Sequence, residues 1–276
     1  MKLVTYEHGE GARLGALVEG GIADLSAVAP SMEALIAAGA AGLAAARVAL
    51  AKPAIVAGAK LRMPLRPGKV LCCGINYRSH AEENPNAKMP DEPFFFSKLP
   101  SSVVGPDVDI RVPPMSKQID YEVEFSAVIG RRLCRASAAD IMPAIFGYTL
   151  LNDVSARDVQ FKDSQITIGK NFDGFAPIGP CVVTTDELTD PGNIRLMSRL
   201  NGKVMQDGST SEWLFPLPRL LSFLSQVMTL EPGDIVTTGT PAGVGYFKQP
   251  QVFMKAGDVI ELEAEGIGIL RNRLVA

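Results

Sequence analysis

Short β-prone runs with no regular helices between them most constrain the fold of this chain. From residue 70 onward they recur, separated by turn residues, at 70–73, 93–97, 121–129, 146–151, 181–184, 195–200, 235–238 and 259–263. A doubly wound parallel sheet needs a helix between successive strands, so this pattern argues against that architecture. The sequence instead predicts the α+β class, with a mixed, mainly β larger domain.

The N-terminal part has a different pattern and predicts a small α/β domain. Short strands are predicted at 3–6, 14–18 and 22–25, followed by an Ala-rich helix at 32–51. A Pro-rich, basic stretch at 61–69 then indicates a linker. We therefore expect a small domain at 1–64 and a larger one at 65–276. In the larger domain, helices are predicted at 217–228 and after Ser137, where Asp140 completes a capping box and Pro143 shortens the helix.

Composition excludes several classes of partner. The formal net charge is −3, so no basic surface for nucleic acid is expected. The N-terminus lacks the pattern of a signal peptide, and the apolar stretch at 34–59 is interrupted by Arg47, Lys52 and Pro53, so no membrane span is expected. The four cysteines show no metal or disulfide spacing and are expected to be buried, reduced thiols. We expect a cytoplasmic protein.

Three carboxylates are candidate metal ligands. In the run from Asp120 to Ser126, alternation places Glu122 and Glu124 on one strand face, roughly 7 Å apart at their Cα atoms. On this segment alone, a solvated polar face of an edge strand is the commoner outcome. Asp153, at the end of the run 146–153, adds a third carboxylate. Only two histidines occur in the chain, so oxygen ligands and Mg²⁺ or Mn²⁺ are favoured over zinc, and Ca²⁺ also fits.

Other polar residues could complete a site. His80 and Glu83 share a face if they lie on a helix, where a carboxylate orienting an imidazole makes a general base. Arg157 would lie one turn from Asp153, and Gln160 one turn from Arg157, if a helix begins there. The alternative for His80 is a surface or core residue without function, and the alternative for the segment with Arg157 is a capped helix start with a solvated charge pair.

Two glycine-rich segments contain further candidates. Lys170 follows Gly169 and precedes a Pro/Gly-rich loop, where its ammonium could hold a carboxylate or a developing enolate. The alternative is a surface lysine. The segment 237–245 resembles a backbone nest for a carboxylate, and no Gly-Lys-Ser/Thr follows it as in a Walker A loop.

Five motifs in order resemble the fumarylacetoacetate hydrolase family: GINYRSHAEE, DYEVEFSAVIGR, GYTLLNDVSARDVQ, GKNFDGFAPIGP and GDIVTTGTPAGVG. The N-terminal segment resembles the small domain of the family's bacterial members. The resemblance implies a mixed β-roll catalytic domain and a homodimer. It also implies a set of site residues: metal ligands Glu122, Glu124 and Asp153; catalytic His80, Glu83 and Lys170; and substrate-binding Tyr77, Arg157, Gln160, Gly239 and Thr240.

The resemblance implies a hydrolase that cleaves the C–C bond of an acylpyruvate, such as maleylpyruvate or fumarylpyruvate from aromatic-compound breakdown, and releases pyruvate. Two alternatives stay open with the same metal site: decarboxylation of oxaloacetate, and isomerisation or decarboxylation of 2-hydroxyhepta-2,4-diene-1,7-dioate. A non-catalytic metal- or ligand-binding protein is a third. The expected partner is a small 2-oxo acid. The sequence leaves open whether residues 78–92 form a lid.

Overall fold

The computed structural model describes residues 1–83, 89–162 and 165–276. Its helices are α1 (Met32–Leu50), α2 (Arg78–Glu83), α3 (Ala138–Ile141), α4 (Arg157–Gln160), α5 (Thr167–Lys170) and α6 (Leu217–Val227). Its strands are β1 (Lys2–His8), β2 (Gly11–Val18), β3 (Gly21–Asp24), β4 (Ile55–Val56), β5 (Leu61–Arg62), β6 (Val70–Cys73), β7 (Phe95–Lys98), β8 (Val103–Val104), β9 (Asp109–Arg111), β10 (Ile119–Asp120), β11 (Val123–Ile129), β12 (Ile145–Asn152), β13 (Ser155–Ala156), β14 (Ala176–Thr184), β15 (Arg195–Leu200), β16 (Lys203–Ser209), β17 (Ile235–Thr237), β18 (Val259–Ala264) and β19 (Gly268–Val275).

Two mixed sheets form the body of the protein. Among the described residues, the larger sheet has twelve strands in the order β4-β3-β2-β1-β14-β12-β11-β17-β6-β7, with β5 beside β1 and β8 beside β14. The smaller sheet has five, in the order β16-β15-β18-β19-β9. Most neighbours are antiparallel, and β6 with β17, β8 with β14, and β9 with β19 are parallel. The predicted α+β class with a mixed, mainly β architecture is confirmed.

The main core lies where the two sheets meet. It joins Phe125 and Tyr148 of the larger sheet to Leu262 and Leu270 of the smaller one. The rings of Phe125 and Tyr148 have centroids 5.1 Å apart, which is a favourable aromatic contact. The strands that lead to the candidate site are therefore fixed by core packing on the face of the larger sheet that meets the smaller one.

The N-terminal strands extend the larger sheet. Strand β1 pairs with β14 through Lys2 and Leu3, and β5, inside the expected linker, pairs with β1. Backbone hydrogen bonds thus connect residues 1–64 to the rest of the chain. The boundary between 1–64 and 65–276 stays a prediction.

Helix α1 is long and apolar enough to cross a membrane by length and composition alone, a test that a helix packed on a protein core also passes. Its buried residues Met32, Leu35 and Ile36 pack in one cluster with Leu3 and Leu14 of the N-terminal strands. Gly39 interrupts the helical conformation with φ of 57°. The packing explains the predicted Ala-rich helix as part of the fold.

The structure corrects several sequence expectations. The strand expected over 121–129 is broken, because Tyr121 and Glu122 lie between β10 and β11. Strands β16 and β19 were missed, although β19 shows a clear alternation of burial. Of the four cysteines, Cys134 is exposed instead of buried. The helices near 137 and 217 are confirmed, and the first ends at Ile141, just before Pro143.

Candidate active site

Glu122, Glu124 and Asp153 come together at one end of the β11–β12 pair. Each offers a carboxylate oxygen, and these three oxygens lie within 4.8 Å of one another. All three residues are buried, at 5%, 1% and 0% exposure. The expectation from the first segment alone, a solvated edge-strand face, is therefore wrong. In the part of the chain that the structure describes, this is the group of three or more acidic, His or Cys side chains that could hold a metal ion.

Strand register explains why the three carboxylates meet. In the antiparallel β11–β12 pair, Val123 faces Asn152, so the start of β11 lies beside the end of β12. The backbone N–H of Asp153 donates to the carbonyl of Glu122 at 3.0 Å, which extends this pairing by one residue past the strand. The side chains of Glu122 and Glu124 point to the same side, although Glu122 precedes the first residue of β11.

Cationic side chains surround two of the three carboxylates. Lys170 Nζ lies 2.7 Å from Glu122 Oε2 and 2.6 Å from Asp153 Oδ2. Arg157 Nη2 lies 2.6 Å from Glu122 Oε1, and Lys98 Nζ lies 2.6 Å from Asp153 Oδ1. Both oxygens of Glu122 and both oxygens of Asp153 are thus within ion-pair distance of a cation. The alternative of a surface lysine is wrong for Lys170, which is 3% exposed.

Glu124 has no such partner. It forms no ion pair with any residue that the structure describes, and its buried Oε2 has no hydrogen-bond partner there. An unpaired buried carboxylate is costly, because burial removes its hydration without replacing it. Its position therefore suits the binding of a cation.

The pKa shifts follow these surroundings. Burial and the neighbouring charges of Asp153 and Glu122 hold the pKa of Glu124 well above its ordinary value. Burial would also raise the pKa of Glu122, but Arg157 and Lys170 outweigh that effect and hold it well below its ordinary value. Two carboxylates of one strand segment thus have opposite shifts.

The donor set fits a divalent cation. Three convergent carboxylates form an all-oxygen site of the kind that Mg²⁺ and Mn²⁺ prefer, and neither histidine belongs to the group. Each carboxylate oxygen has two lone pairs, so Glu122 and Asp153 can ligate a metal while still accepting from Lys170. The buried charges count one more carboxylate than cation, so the group has a net negative charge that favours binding of a cation: Asp120, Glu122, Glu124 and Asp153 against Lys98, Arg157 and Lys170.

His80 and Glu83 form the predicted dyad on helix α2. His80 Nδ1 and Glu83 Oε2 are 2.9 Å apart, three residues apart along the helix. A carboxylate only accepts, so this contact places the ring proton on Nδ1 and leaves Nε2 free to take a proton. Glu83 Oε1 accepts a second hydrogen bond, at 2.5 Å, from the backbone of Gly243. The remainder of the candidate lid includes residues 84–88, which lie outside the described residues.

Arg157 contacts two other polar side chains in addition to Glu122. Its Nε lies 2.9 Å from Asp120 Oδ2, and its Nη1 donates to Gln160 Oε1 at 3.1 Å. The expected one-turn relation to Asp153 is wrong, because β13 intervenes and α4 begins only at Arg157. Arg157 and Gln160 do share one helical turn as expected.

The structure places the three other candidate substrate-binding residues in different surroundings. Thr240 lines the same cavity as the carboxylates, and its hydroxyl donates to Val123 O at 2.9 Å. Gly239 adopts φ of 80° and passes the carbonyl of Gly74 so closely that a Cβ would lie 2.8 Å from that oxygen. Tyr77 is fully buried, with its hydroxyl 3.4 Å from Thr238 Oγ1, outside the cavity lining. The binding roles of all three stay predictions.

Lys98 is a site residue that sequence reasoning missed. Its ammonium is fully buried at the end of β7 and donates to the carbonyls of Val154, Lys170 and Phe175 at 3.0, 2.5 and 2.8 Å. It therefore connects the chain after Asp153 to the end of helix α5. Burial lowers the pKa of Lys98. A single lysine at the end of a strand gives no local signal of these long-range contacts.

The candidate site contains a cavity of about 100 Å³. Its lining includes the three carboxylates, Lys170, Arg157, Gln160, His80 and Thr240, together with Cys73, Gly74, Ile75, Phe94, Phe96 and Ile166. A concave site with convergent acidic, basic and imidazole groups is typical of an enzyme that moves protons and stabilises anions.

Fold and site together place a cluster of three carboxylates that could hold a metal ion beside a His–Glu dyad in a mixed β roll. The model of the fumarylacetoacetate hydrolase C-terminal domain matches residues 69–275. The chain belongs to this family of enzymes, as the sequence motifs predicted.

Relatives and solved structures match along the whole chain. A bovine protein (Bos taurus) named oxaloacetate tautomerase FAHD2A, mitochondrial, is 41% identical over 289 residues, covering 100% of this chain and 92% of that protein. A fumarylacetoacetate hydrolase from Exiguobacterium antarcticum superposes with a TM-score of 0.88 at 35% identity, covering 100% and 99% of the two chains. Maleylpyruvate hydrolase from Sphingobium sp. SYK-6, with manganese(II) and pyruvate, superposes at 0.83 with 28% identity, covering 100% and 99%.

Proposed function

We propose that this protein catalyses keto–enol tautomerisation of a small 2-oxo dicarboxylic acid, with oxaloacetate as the first substrate to test. The observation that carries the proposal is that His80, held by Glu83, lines the cavity that contains Glu122, Glu124 and Asp153. The name of the bovine relative, an oxaloacetate tautomerase, supports the choice of substrate. Tautomerisation needs one group that moves a proton and an environment that stabilises an enolate, and both are available here.

The metal centre would be formed by Glu122, Glu124 and Asp153. A divalent ion bound there would polarise the 2-oxo group of the substrate. Arg157 and Gln160, which line the same cavity, would bind the substrate carboxylate next to the oxo group. The loop at Thr240 would bind the distal carboxylate. The ion expected is Mg²⁺ or Mn²⁺.

His80 would move the proton at C3. In the direction from enol to keto form, His80 Nε2 takes the proton of the enol oxygen and delivers it to C3. In the reverse direction, Nε2 takes the proton from C3 and delivers it to the oxo oxygen. Glu83 keeps the imidazole in the tautomer with Nε2 free. Lys170, whose ammonium has a third proton beyond those directed at Glu122 and Asp153, would stabilise charge on the oxygen.

Loss of the enol absorbance of oxaloacetate tests the proposal directly. We expect Mn²⁺-dependent acceleration that EDTA abolishes. The variant His80→Gln should lose about 100- to 10,000-fold in kcat, because general acid–base catalysis contributes that much. The matched control is His8→Gln, since His8 is exposed on β1, away from the cavity. Equal rates for His80→Gln and His8→Gln would contradict the proposal.

Hydrolysis of an acylpyruvate C–C bond is the second candidate. The same dyad could deprotonate a water that attacks the distal carbonyl, with Lys170 stabilising the oxyanion. The solved maleylpyruvate hydrolase with manganese and pyruvate favours this reaction as an alternative. Pyruvate release from maleylpyruvate, fumarylpyruvate and acetylpyruvate, with and without Mn²⁺, tests it. Pyruvate from the acylpyruvates without enol turnover of oxaloacetate would replace our first proposal with this one.

The remaining expectations continue as proposals. Pyruvate released from oxaloacetate alone would indicate a decarboxylase. Turnover of 2-hydroxyhepta-2,4-diene-1,7-dioate alone would indicate the isomerase or decarboxylase alternative. If no acid is turned over but Mn²⁺ still binds, the protein would be a non-catalytic binder. We further propose a homodimer that acts on a small molecule in the cytoplasm, without nucleic-acid or membrane partners. The mitochondrial designation of the bovine relative makes cell fractionation the relevant test of location.

A further inference from the structure

Gln206 is a buried amide that contacts two parts of the site without lining the cavity. It lies on β16 in the smaller sheet and is 1% exposed. Its Oε1 accepts from the backbone N–H of Val123 at 3.1 Å and from Ser198 Oγ at 3.0 Å. Its Nε2 donates to Thr240 Oγ1 at 2.7 Å and to the carbonyl of Pro241 at 2.9 Å. An amide has two donors and two lone pairs, so its hydrogen-bonding capacity is fully used.

These contacts close a ring of hydrogen bonds. Val123 donates to Gln206, Gln206 donates to Thr240, and Thr240 donates back to the carbonyl of Val123 at 2.9 Å. Val123 stands between the two glutamates of the metal group. The ring therefore fixes the backbone that bears Glu122 and Glu124 against the loop proposed to bind the distal carboxylate of the substrate.

The ring also defines what Gln206 can and cannot do. It is absent from the cavity lining, so it has no direct path to substrate or metal. Its strand belongs to the smaller sheet, where Ser198 of the neighbouring strand β15 donates to the oxygen that also accepts from Val123. Any movement of β16 relative to β11 would change the distance between the metal ligands and Thr240.

We infer that Gln206 is a positioning residue that sets the spacing between the metal-binding segment and the substrate-carboxylate loop. It controls metal affinity through Val123 and substrate KM through Thr240. The KM part rests on the proposed function, whereas the metal part rests only on the carboxylate group. Residues that orient metal ligands typically affect metal affinity or activity by about 10- to 100-fold when they are changed.

Two variants distinguish the contact of Gln206 with Val123 from its contacts with Thr240 and Pro241. Gln206→Met removes all four hydrogen bonds at similar length. Gln206→Glu keeps an acceptor for Val123 and Ser198. It places an oxygen against the Pro241 carbonyl, so only the hydrogen bonds to the loop at Thr240 and Pro241 are disrupted. Ser198→Ala is the matched control, because it removes one hydrogen bond to the same amide and touches neither part of the site.

The measurements are Mn²⁺ titration by calorimetry, KM and kcat with the 2-oxo acid that is turned over, and thermal unfolding. For Gln206→Met we expect Mn²⁺ binding and KM each weakened by about 10-fold. For Gln206→Glu we expect a raised KM with Mn²⁺ affinity retained, and for Ser198→Ala neither change. If Gln206→Met does not fold, the Gln206→Glu result decides.

A purely structural role would lower only the unfolding temperature, with Mn²⁺ affinity and KM unchanged, and this result would overturn the inference. The same conclusion would follow if Ser198→Ala weakened Mn²⁺ binding as much as Gln206→Met. Because the Mn²⁺ titration needs no substrate, weakened binding in an enzyme inactive on every acid tested would support the metal part while the proposed function fails.

Discussion

The two walls of the cavity are built in different ways. The carboxylate wall, formed by Glu122, Glu124 and Asp153, lies at the start of β11 and just past the end of β12, and is 0–5% exposed. The dyad wall is formed by His80, which Glu83 orients; both residues lie on the six-residue helix α2, with side chains 13% and 17% exposed. The first wall is fixed by strand register and ion pairs. The second is held by hydrogen bonds from the backbone of Gly243 and Ala242 to Glu83 and Ser79, and by the ring of Phe247 beside His80. The contrast suggests that the carboxylates are preorganised by the sheet, whereas proton transfer depends on a short helix packed against a loop.

Removal of Glu124 should have the largest effect on the carboxylate wall. Glu124→Gln keeps the shape but removes the ligand without a cation partner, so activity should fall on the order of 1000-fold. The metal-free variant should unfold at the same or a higher temperature than the parent, because an unpaired buried charge is lost. Steady-state rates and Mn²⁺-dependent thermal shifts measure both effects.

The matched control for this change is the exposed Glu265→Gln. It should leave activity and the Mn²⁺-dependent thermal shift unchanged. A Glu124→Gln protein that still gained thermal stability from Mn²⁺ like the parent would show that the carboxylate wall does not hold the metal.

Removal of Glu83 should have a smaller effect, confined to the dyad wall. Glu83→Gln removes the carboxylate that orients His80, so kcat should fall by about 10- to 100-fold while Mn²⁺ affinity stays the same. The neighbouring exposed residue on α2 provides the control, Glu82→Gln, which should behave like the parent. A loss of Mn²⁺ affinity in Glu83→Gln would mean that the two walls are not independent.

The smallest expected effect is a pH dependence of metal binding. The pKa of Glu124 is raised by burial and by the charges of Asp153 and Glu122, so below that pKa a metal ion must displace a proton. The apparent Kd for Mn²⁺ should therefore fall as pH rises, by at most about tenfold per unit for one proton, and level off above the raised pKa. Calorimetry in buffers of different ionisation enthalpy counts the proton released, and pH-independent affinity without proton release would contradict the assignment.

The sequence predicted the residues of both walls better than it predicted the residues that hold them in place. Alternation and a strand end made Glu122, Glu124 and Asp153 candidates, and helical spacing did the same for His80 and Glu83. The resemblance to a family was needed to favour these residues over their non-functional alternatives. Lys98 and Gln206 were missed because their partners are far away in sequence, at Asp153 and Val123 among others. Local patterns record which face a side chain occupies, but not which strand will lie across from it.

The same limit applies to the fold. The β-rich character of the chain followed from short apolar runs between turns, and most of those runs are strands. The pairing of β1 with β14 could not be read locally, because strand partners are chosen by the packing of the whole sheet. Polar β16 was missed for a related reason: its exposed residues are those expected of an edge strand.

The exposed thiol of Cys134 offers a practical handle on the protein. It lies in the connection at the far end of the β11–β12 pair, and the other three cysteines are buried, so a thiol reagent should label this position selectively. The seven residues of β11 separate it from the carboxylates by about 20 Å. A nitroxide attached there would sense the paramagnetism of an arriving Mn²⁺ ion from outside the cavity, in the unmodified site and without a substrate.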